Sequence, residues 1–277
     1  MPIQSVAAGA TAPRMLNKVP EVTIYFWIIK ILATTVGETV ADFLNVKLNF
    51  GLSGTTYVMG AVLVLTLGYQ FRTKKYVPAL YWLTVVLISV FGTLITDNLV
   101  DNFGVPLQVT TIIFSVALLG AFAGWYASEK TLSIHTIDTT RREGFYWLTI
   151  LFTFALGTAA GDLVAERLQL GYPLSALLFG ALIAVIAVAH LGFRLNAVVA
   201  FWAAYILTRP LGASLGDLLS QPRSNGGIGV GTTWTSALFL ITITGLVSYL
   251  SITRTDVATP PDQDDDSEDI PDHCRLL

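Results

Sequence analysis

One pattern recurs four times along this 277-residue chain. An aromatic residue and a Trp are followed, ten positions after the Trp, by a Gly, and five positions later by an Asp. The copies are Phe26-Trp27…Gly37…Asp42, Tyr81-Trp82…Gly92…Asp97, Tyr146-Trp147…Gly157…Asp162 and Phe201-Trp202…Gly212…Asp217. Each lies in an apolar segment long enough to cross a bilayer. An acid inside a membrane costs from about 3 to more than about 10 kcal/mol. Four at one register therefore demand a common reason.

Composition fixes the class. Hydrophobic residues make up 53% of the chain and charged residues 13%, against about 25% charged in a soluble domain. Mean hydropathy is +0.65. Apolar stretches of roughly 20 residues recur along nearly the whole length. They predict an all-α polytopic membrane protein with eight transmembrane helices, at about 22–46, 53–70, 78–101, 107–127, 145–166, 173–193, 198–219 and 229–251. The expected organisation is an N-terminal arm (1–21), repeats one and two (22–127), a loop (128–144), repeats three and four (145–252) and an acidic disordered tail (253–277). The arm has no apolar core of the signal-peptide kind, so no cleavage is expected. Cys274 is the single cysteine and excludes an internal disulfide framework. Its C-terminal setting has the length of a prenylation box, but Arg275 breaks the aliphatic pattern.

Charge predicts orientation. Arg14, Lys18, Arg72, Lys74, Lys75, Lys130, Arg141, Arg142, Arg194 and Arg254 fall on one side, and Lys47, Arg167 and Arg223 on the other. Positive residues mark the cytoplasmic side. The expectation is a multi-pass protein of the cell's inner (plasma) membrane with both termini cytoplasmic. The residues from 256 onward hold eight of the nineteen acids and one of the sixteen Lys/Arg residues, so the tail reads as solvated.

The repeat spacing carries the symmetry. The Trp residues are separated by 55, 65 and 55 positions. A two-helix unit has been duplicated, and the pair duplicated again, with the extra residues in the central loop. An even number of helices per unit makes successive units parallel, with a pseudo-symmetry axis along the membrane normal. Spans one, three, five and seven are then expected around that axis. Trp27, Trp82, Trp147 and Trp202 are expected as anchors at the membrane interface. Fifteen residues further on, each Asp lies about 22 Å deeper at 1.5 Å per residue, still within a hydrocarbon layer about 30 Å thick. Gly37, Gly92, Gly157 with Gly161, and Gly212 with Gly216 are expected to let helices approach closely. Gly120 with Gly124 on the fourth span reads the same way.

Residues four apart share a helix face. Glu38 joins Asp42 there, Thr93 and Asp101 flank Asp97, and Thr158 and Glu166 flank Asp162, while Ser220 follows Asp217. Such oxygen-rich faces suit a hard cation, which takes about six or more oxygens, or a proton. His135 and His190 lie near the opposite end, so a zinc or copper centre is not expected, and the identity of any metal is left open. Two structural alternatives are that the Asp residues cap neighbouring helix N-termini near Pro106 or Pro173, or lie among headgroups. Two internal cations break the symmetry. Lys30 can snorkel to the cytoplasmic surface. Arg209, about 10 Å past Trp202, is expected to pair with an acid or to contact an anionic substrate; Glu38 matches it in depth, and such a pair is either a static staple or a gate. Pro210 beside it is expected to kink the seventh span.

The four copies around Trp27, Trp82, Trp147 and Trp202, spanning about residues 20–252, resemble a repeat found four times in tandem in a family of uncharacterised bacterial membrane-anchored proteins. Each repeat there has two transmembrane regions and a characteristic Trp. The resemblance implies the architecture and brings no activity. The function expected from the acids is a secondary transporter or channel-like permease for a small ion, most simply a cation. The alternatives are a non-transporting scaffold or sensor, in which the 128–144 loop and the tail bind partners, and an intramembrane aspartyl hydrolase. For the last, Ala160-Gly161-Asp162 and Leu215-Gly216-Asp217 are similar to a Gly-x-Gly-Asp element, but Ala159 and Ser214 stand where its first Gly would be. The expected partners are the bilayer and a small ion, with a homo-oligomer compatible. Neither an enzymatic role, nor a cofactor, nor nucleic-acid binding is expected.

Overall fold

The computed structural model describes residues 17–257. Cys274, most of the expected N-terminal arm and the expected acidic tail from residue 258 onward lie outside the described residues; Asp256, expected in a solvated tail, is instead buried. Eight α-helices carry the fold: α1 Ile24–Asp42, α2 Gly51–Arg72, α3 Pro78–Asp97, α4 Leu107–Glu129, α5 Thr140–Asp162, α6 Gly171–Phe193, α7 Ala197–Ser220 and α8 Thr232–Thr253. All eight are long and apolar enough to cross a membrane. The fifth begins five residues before its expected start. Thr139 sets that start by accepting the Arg142 backbone N–H at its side-chain oxygen. Thr23 and Asn196 cap α1 and α7 in the same way, and Pro78 opens α3. Each supplies a start signal that spares an orphan donor. Lys130, Arg194 and Arg254 end α4, α6 and α8 in left-handed geometry, where a cation also complements the helix dipole.

The odd-numbered helices form a closed ring. α1 packs on α3, α3 on α5, α5 on α7, and α7 back on α1. The even-numbered helices stand outside: α2 on α3, α4 on α5, α6 on α7 and α8 on α1. Each outer helix thus packs mainly on the inner helix of the following repeat. The two helices of one sequence repeat are close mainly where they join.

Glycine sets the ring's spacing. A Cβ on Gly37 would strike Ser89, one on Gly92 would lie 2.7 Å from Phe154 Cβ, one on Gly157 would strike Arg209, and one on Gly212 would lie 2.5 Å from Thr34 Cγ2. The partners Thr34, Ser89, Phe154 and Arg209 are all seven residues past their own Trp. Every glycine therefore receives the equivalent residue of the next helix round the ring. Thr35 and Thr96 bond across the same contacts, donating to the carbonyls of Gly212 and Ala155. Gly161 and Gly216 meet their neighbours at ordinary or slightly tight distances. Gly120 faces open space, so its spacing to Gly124 is not a packing motif here.

The Trp residues are not a lipid-facing belt. Trp82, Trp147 and Trp202 are buried and Trp27 is half-buried. They pack with Phe26, Tyr81, Tyr146, Phe201 and Tyr205 into one aromatic layer across the end of the ring. Their apolar area is worth more against one another than at the periphery. The Tyr81 and Tyr146 hydroxyls meet at 2.5 Å on the layer. Above it the chain closes over. Lys18 is buried against Glu143 at 2.6 Å, which also accepts from Gln70 and Trp147. Leu132 accepts from Trp202 Nε1. Tyr76 donates to Asp256 at 2.6 Å, and burial pushes both groups above their ordinary pKa values.

Two outcomes follow from these contacts. Gly92→Leu should cost about 1–3 kcal/mol through overpacking and Gly120→Leu almost nothing, read as melting temperatures of the purified protein. For Asp256, the folded state holds its proton to higher pH than the unfolded chain does. Its contribution to stability should fall as pH rises from about 4 through the raised value. Melts of Asp256→Asn across that window should lack this component.

Candidate functional site

A five-tier column of side chains runs down the ring axis, with one residue per inner helix in each tier and four positions between tiers. The first tier is the aromatic layer of Phe26, Tyr81, Tyr146 and Phe201. Lys30, Val85, Ile150 and Tyr205 follow, then Thr34, Ser89, Phe154 and Arg209, then Glu38, Thr93, Thr158 and Ala213. The last tier is Asp42, Asp97, Asp162 and Asp217. Residues four apart lie about one turn along each helix, displaced by about 40° round a straight one.

The four aspartates end this column at a single cavity of about 180 Å³. Glu38, Asp101 and Glu166 line it too, with Asn45 and Gln221. All seven acids singled out from sequence are thus brought together. Their exposure is graded: Asp101 and Glu166 are exposed, Asp42, Asp97 and Asp162 half-buried, and Asp217 and Glu38 buried. The cavity is a vestibule that opens away from the Trp end. Among the described residues none of the four aspartates accepts a hydrogen bond from a helix N-terminus, and α4 and α6 start without a side-chain cap. The capping alternative does not hold. Ser220 is buried with an unpartnered hydroxyl and is not on the cavity wall.

Just past the aspartates, α1, α3 and α5 each make one π-helical turn, at Phe43–Lys47, Asn98–Asn102 and Leu163–Arg167. Such turns recur at functional sites. Here they follow three of the four aspartates, while α7 runs on as α-helix to Ser220.

The vestibule's floor is an ion pair. Arg209 is completely buried, and its Nη2 lies 3.0 Å from Glu38 Oε2. The hydroxyls of Thr93 and Thr158 lie within hydrogen-bond reach of the same Nη2, so its two N–H groups are shared among three acceptors. One guanidinium on α7 therefore reaches α1, α3 and α5. Pairing by depth was correct for Glu38. The threonines differ from expectation: they face Arg209 instead of offering oxygens to the cavity, because a buried guanidinium needs acceptors more than the wetted acids need neighbours. Arg209 Nε and Nη1 have no partner. Pro210 sits inside α7 without ending it, and its ring lies against Gly157 and Gly161.

Lys30 does not snorkel. It is fully buried, with Nζ 4.1 Å from the Phe154 ring centroid, 4.2 Å from that of Tyr205 and 3.3 Å from Thr34 Oγ1. Two aromatic faces stand in for water there. The aromatic layer lies between its tier and the surface it was expected to reach. No signal in the sequence marks Phe154 and Tyr205 as a cage, since their equivalents in the other repeats are unlike them. The Lys18–Glu143 pair was also missed, because both residues read as ordinary loop charges.

Among the described residues, no three His, Cys, Asp or Glu side chains are grouped as a metal ion requires. The acids line a wide basin with room for several waters.

The ring, its outer helices and the acid vestibule define an all-helical membrane-type protein built from four two-helix repeats. The family model described as Repeat of Unknown Function (DUF347) matches it four times in tandem, over residues 25–76, 80–131, 145–195 and 200–256. The chain belongs to that family. Comparison with curated proteins and with solved structures finds no match.

The floor gives a direct expectation. Glu38→Gln or Arg209→Met alone should destabilise by about 3–5 kcal/mol, each leaving a buried charge unpaired. The double variant should recover part of that loss. Thermal melts of the four proteins complete the cycle.

Proposed function

We propose that the protein is a secondary transporter or channel-like permease for a small cation, a proton included. The convergence of all four repeat aspartates on one vestibule, backed by Glu38, Asp101 and Glu166, carries this reading. A basin lined by acids with low-dielectric walls concentrates cations. The ionisable residues lie inside the helical bundle, as those of ion pathways do.

The rest of the column supplies a route and its barrier. A cation reaching Asp217 and Glu38 competes with Arg209 for the Glu38 carboxylate. Occupancy would loosen the bonds that hold α7 to α1, α3 and α5. Beyond Arg209 stand Lys30 and the aromatic layer, which keep the Trp end shut. A wet acid end and a sealed Trp end match one of the two states that alternating access requires, with the 120-residue halves as the moving bodies. With the termini cytoplasmic, the vestibule faces outward.

The test is flux through the purified protein in liposomes, driven by a cation or proton gradient. Asp97→Asn and Asp162→Asn should each lower the rate by about tenfold or more, the effect of removing a ligand worth about 1.4 kcal/mol. Flux that is the same in both variants as in the parent would rule the reading out.

A further inference from the structure

A second cavity, of about 530 Å³, lies at the Trp end between α6, α7, the start of α1 and the segment 131–137. Its size falls among ligand sites, which span about 300–1,000 Å³. Ile183, Ile186 and Ala187 of α6, Ala200 and Ala204 of α7, and Trp27 of α1 form apolar walls, while Ser133, His135 and His190 are polar.

Comparison of the repeats explains why space is left here. The residue 43 positions after each Trp falls on the outer helix: Gln70, Trp125, His190 and Gly245. Gln70 is buried and bonds to Glu143. Trp125 is buried against Tyr146 and Trp202. His190 is exposed instead, and its Nδ1–H donates to the Leu195 carbonyl at 2.8 Å. Nothing of Trp125's bulk stands at this point in the third repeat. Trp27 is correspondingly the one repeat Trp that is only half-buried.

We propose that this cavity holds an acyl chain of a bilayer phospholipid with a primary ammonium headgroup. The source of the chain follows from continuity. The cavity's α6 wall adjoins that helix's outer surface, where Leu182, Val185 and Val188 are exposed on a helix apolar enough to cross a membrane. The headgroup follows from the polar rim. His135 Nδ1 lies 3.4 Å from the Glu21 carboxylate, and His190 Nδ1 is committed to Leu195. In the neutral ring each remaining Nε2 is an acceptor. Two acceptors on the wall, with the Glu21 carboxylate behind His135 and next in sequence to the lining residue Val22, suit a headgroup that donates hydrogen bonds and carries positive charge. A primary ammonium meets both needs, whereas a quaternary one has no N–H to give. The chain would press on Trp27, which packs on Phe201 at 5.8 Å, and Phe201 packs on Tyr205 at 5.5 Å, the residue that covers Lys30. This inference stands independently of what passes along the axis.

The experiment uses the full-length protein in nanodiscs of phosphatidylethanolamine or phosphatidylcholine with brominated acyl chains. The Trp27 signal is the fluorescence of the parent minus that of Trp27→Phe. Its quenching should be about threefold to tenfold stronger with the ethanolamine lipid, the worth of one net hydrogen bond. His135→Ala with His190→Ala should remove that preference. Ala187→Phe, on an exposed helix position facing the cavity, should abolish the quenching, while Val185→Phe on the outer surface should leave it intact. Quenching in Ala187→Phe equal to the parent, or equal quenching by the two lipids in the parent, overturns the proposal.

Discussion

The guanidinium of Arg209 is the contact on which the ring depends. It projects from one inner helix and is bonded to a side chain on each of the other three. Leaving it unpaired would cost several kcal/mol, so the four helices cannot separate at this level without finding it new acceptors. The glycines make the contact reachable. Gly157 gives the base of the Arg209 side chain its room, and the same device in the other three repeats brings each pair of helices close enough for the column to be continuous.

Around that contact the fourfold plan is kept at the ends and abandoned in the middle. The aromatic tier and the aspartate tier repeat almost without change. Between them lie Lys30 opposite three uncharged residues, and Arg209 opposite Thr34, Ser89 and Phe154. Four cations in one tier would repel one another and would neutralise the aspartates of the basin. A single Arg–Glu pair closes the floor and leaves the aspartates unpaired. Lys30 stands buried under two rings on the same axis. Arg209 and Lys30 thus fill the axis between the vestibule and the aromatic layer.

The ends were legible in the sequence because they repeat. Period and apolar length gave the eight helices, and the common register of Asp42, Asp97, Asp162 and Asp217 gave the vestibule. Glu38 was found as Arg209's partner because depth along a helix is linear in residue number. The middle was not legible, since a tier made of Lys, Val, Ile and Tyr has no pattern to detect. The side to which Trp147 or Thr158 turns depends on what the next helix presents, and that is known only once the ring closes. For the same reason the Trp residues, expected among headgroups, turned inward to form the aromatic layer.

Because α8 packs on α1 while α2 packs on α3, the architecture resembles a circle of arms each laid on the next shoulder. During synthesis the first helix must wait, one flank against lipid, until the last is inserted. Folding of the whole is thereby tied to the final span, and premature termination anywhere before it leaves the circle open. A single ancestral two-helix unit arranged in this way would have had to lend its second helix to a neighbouring copy. Joining the copies in one chain would have turned that exchange between molecules into connectivity.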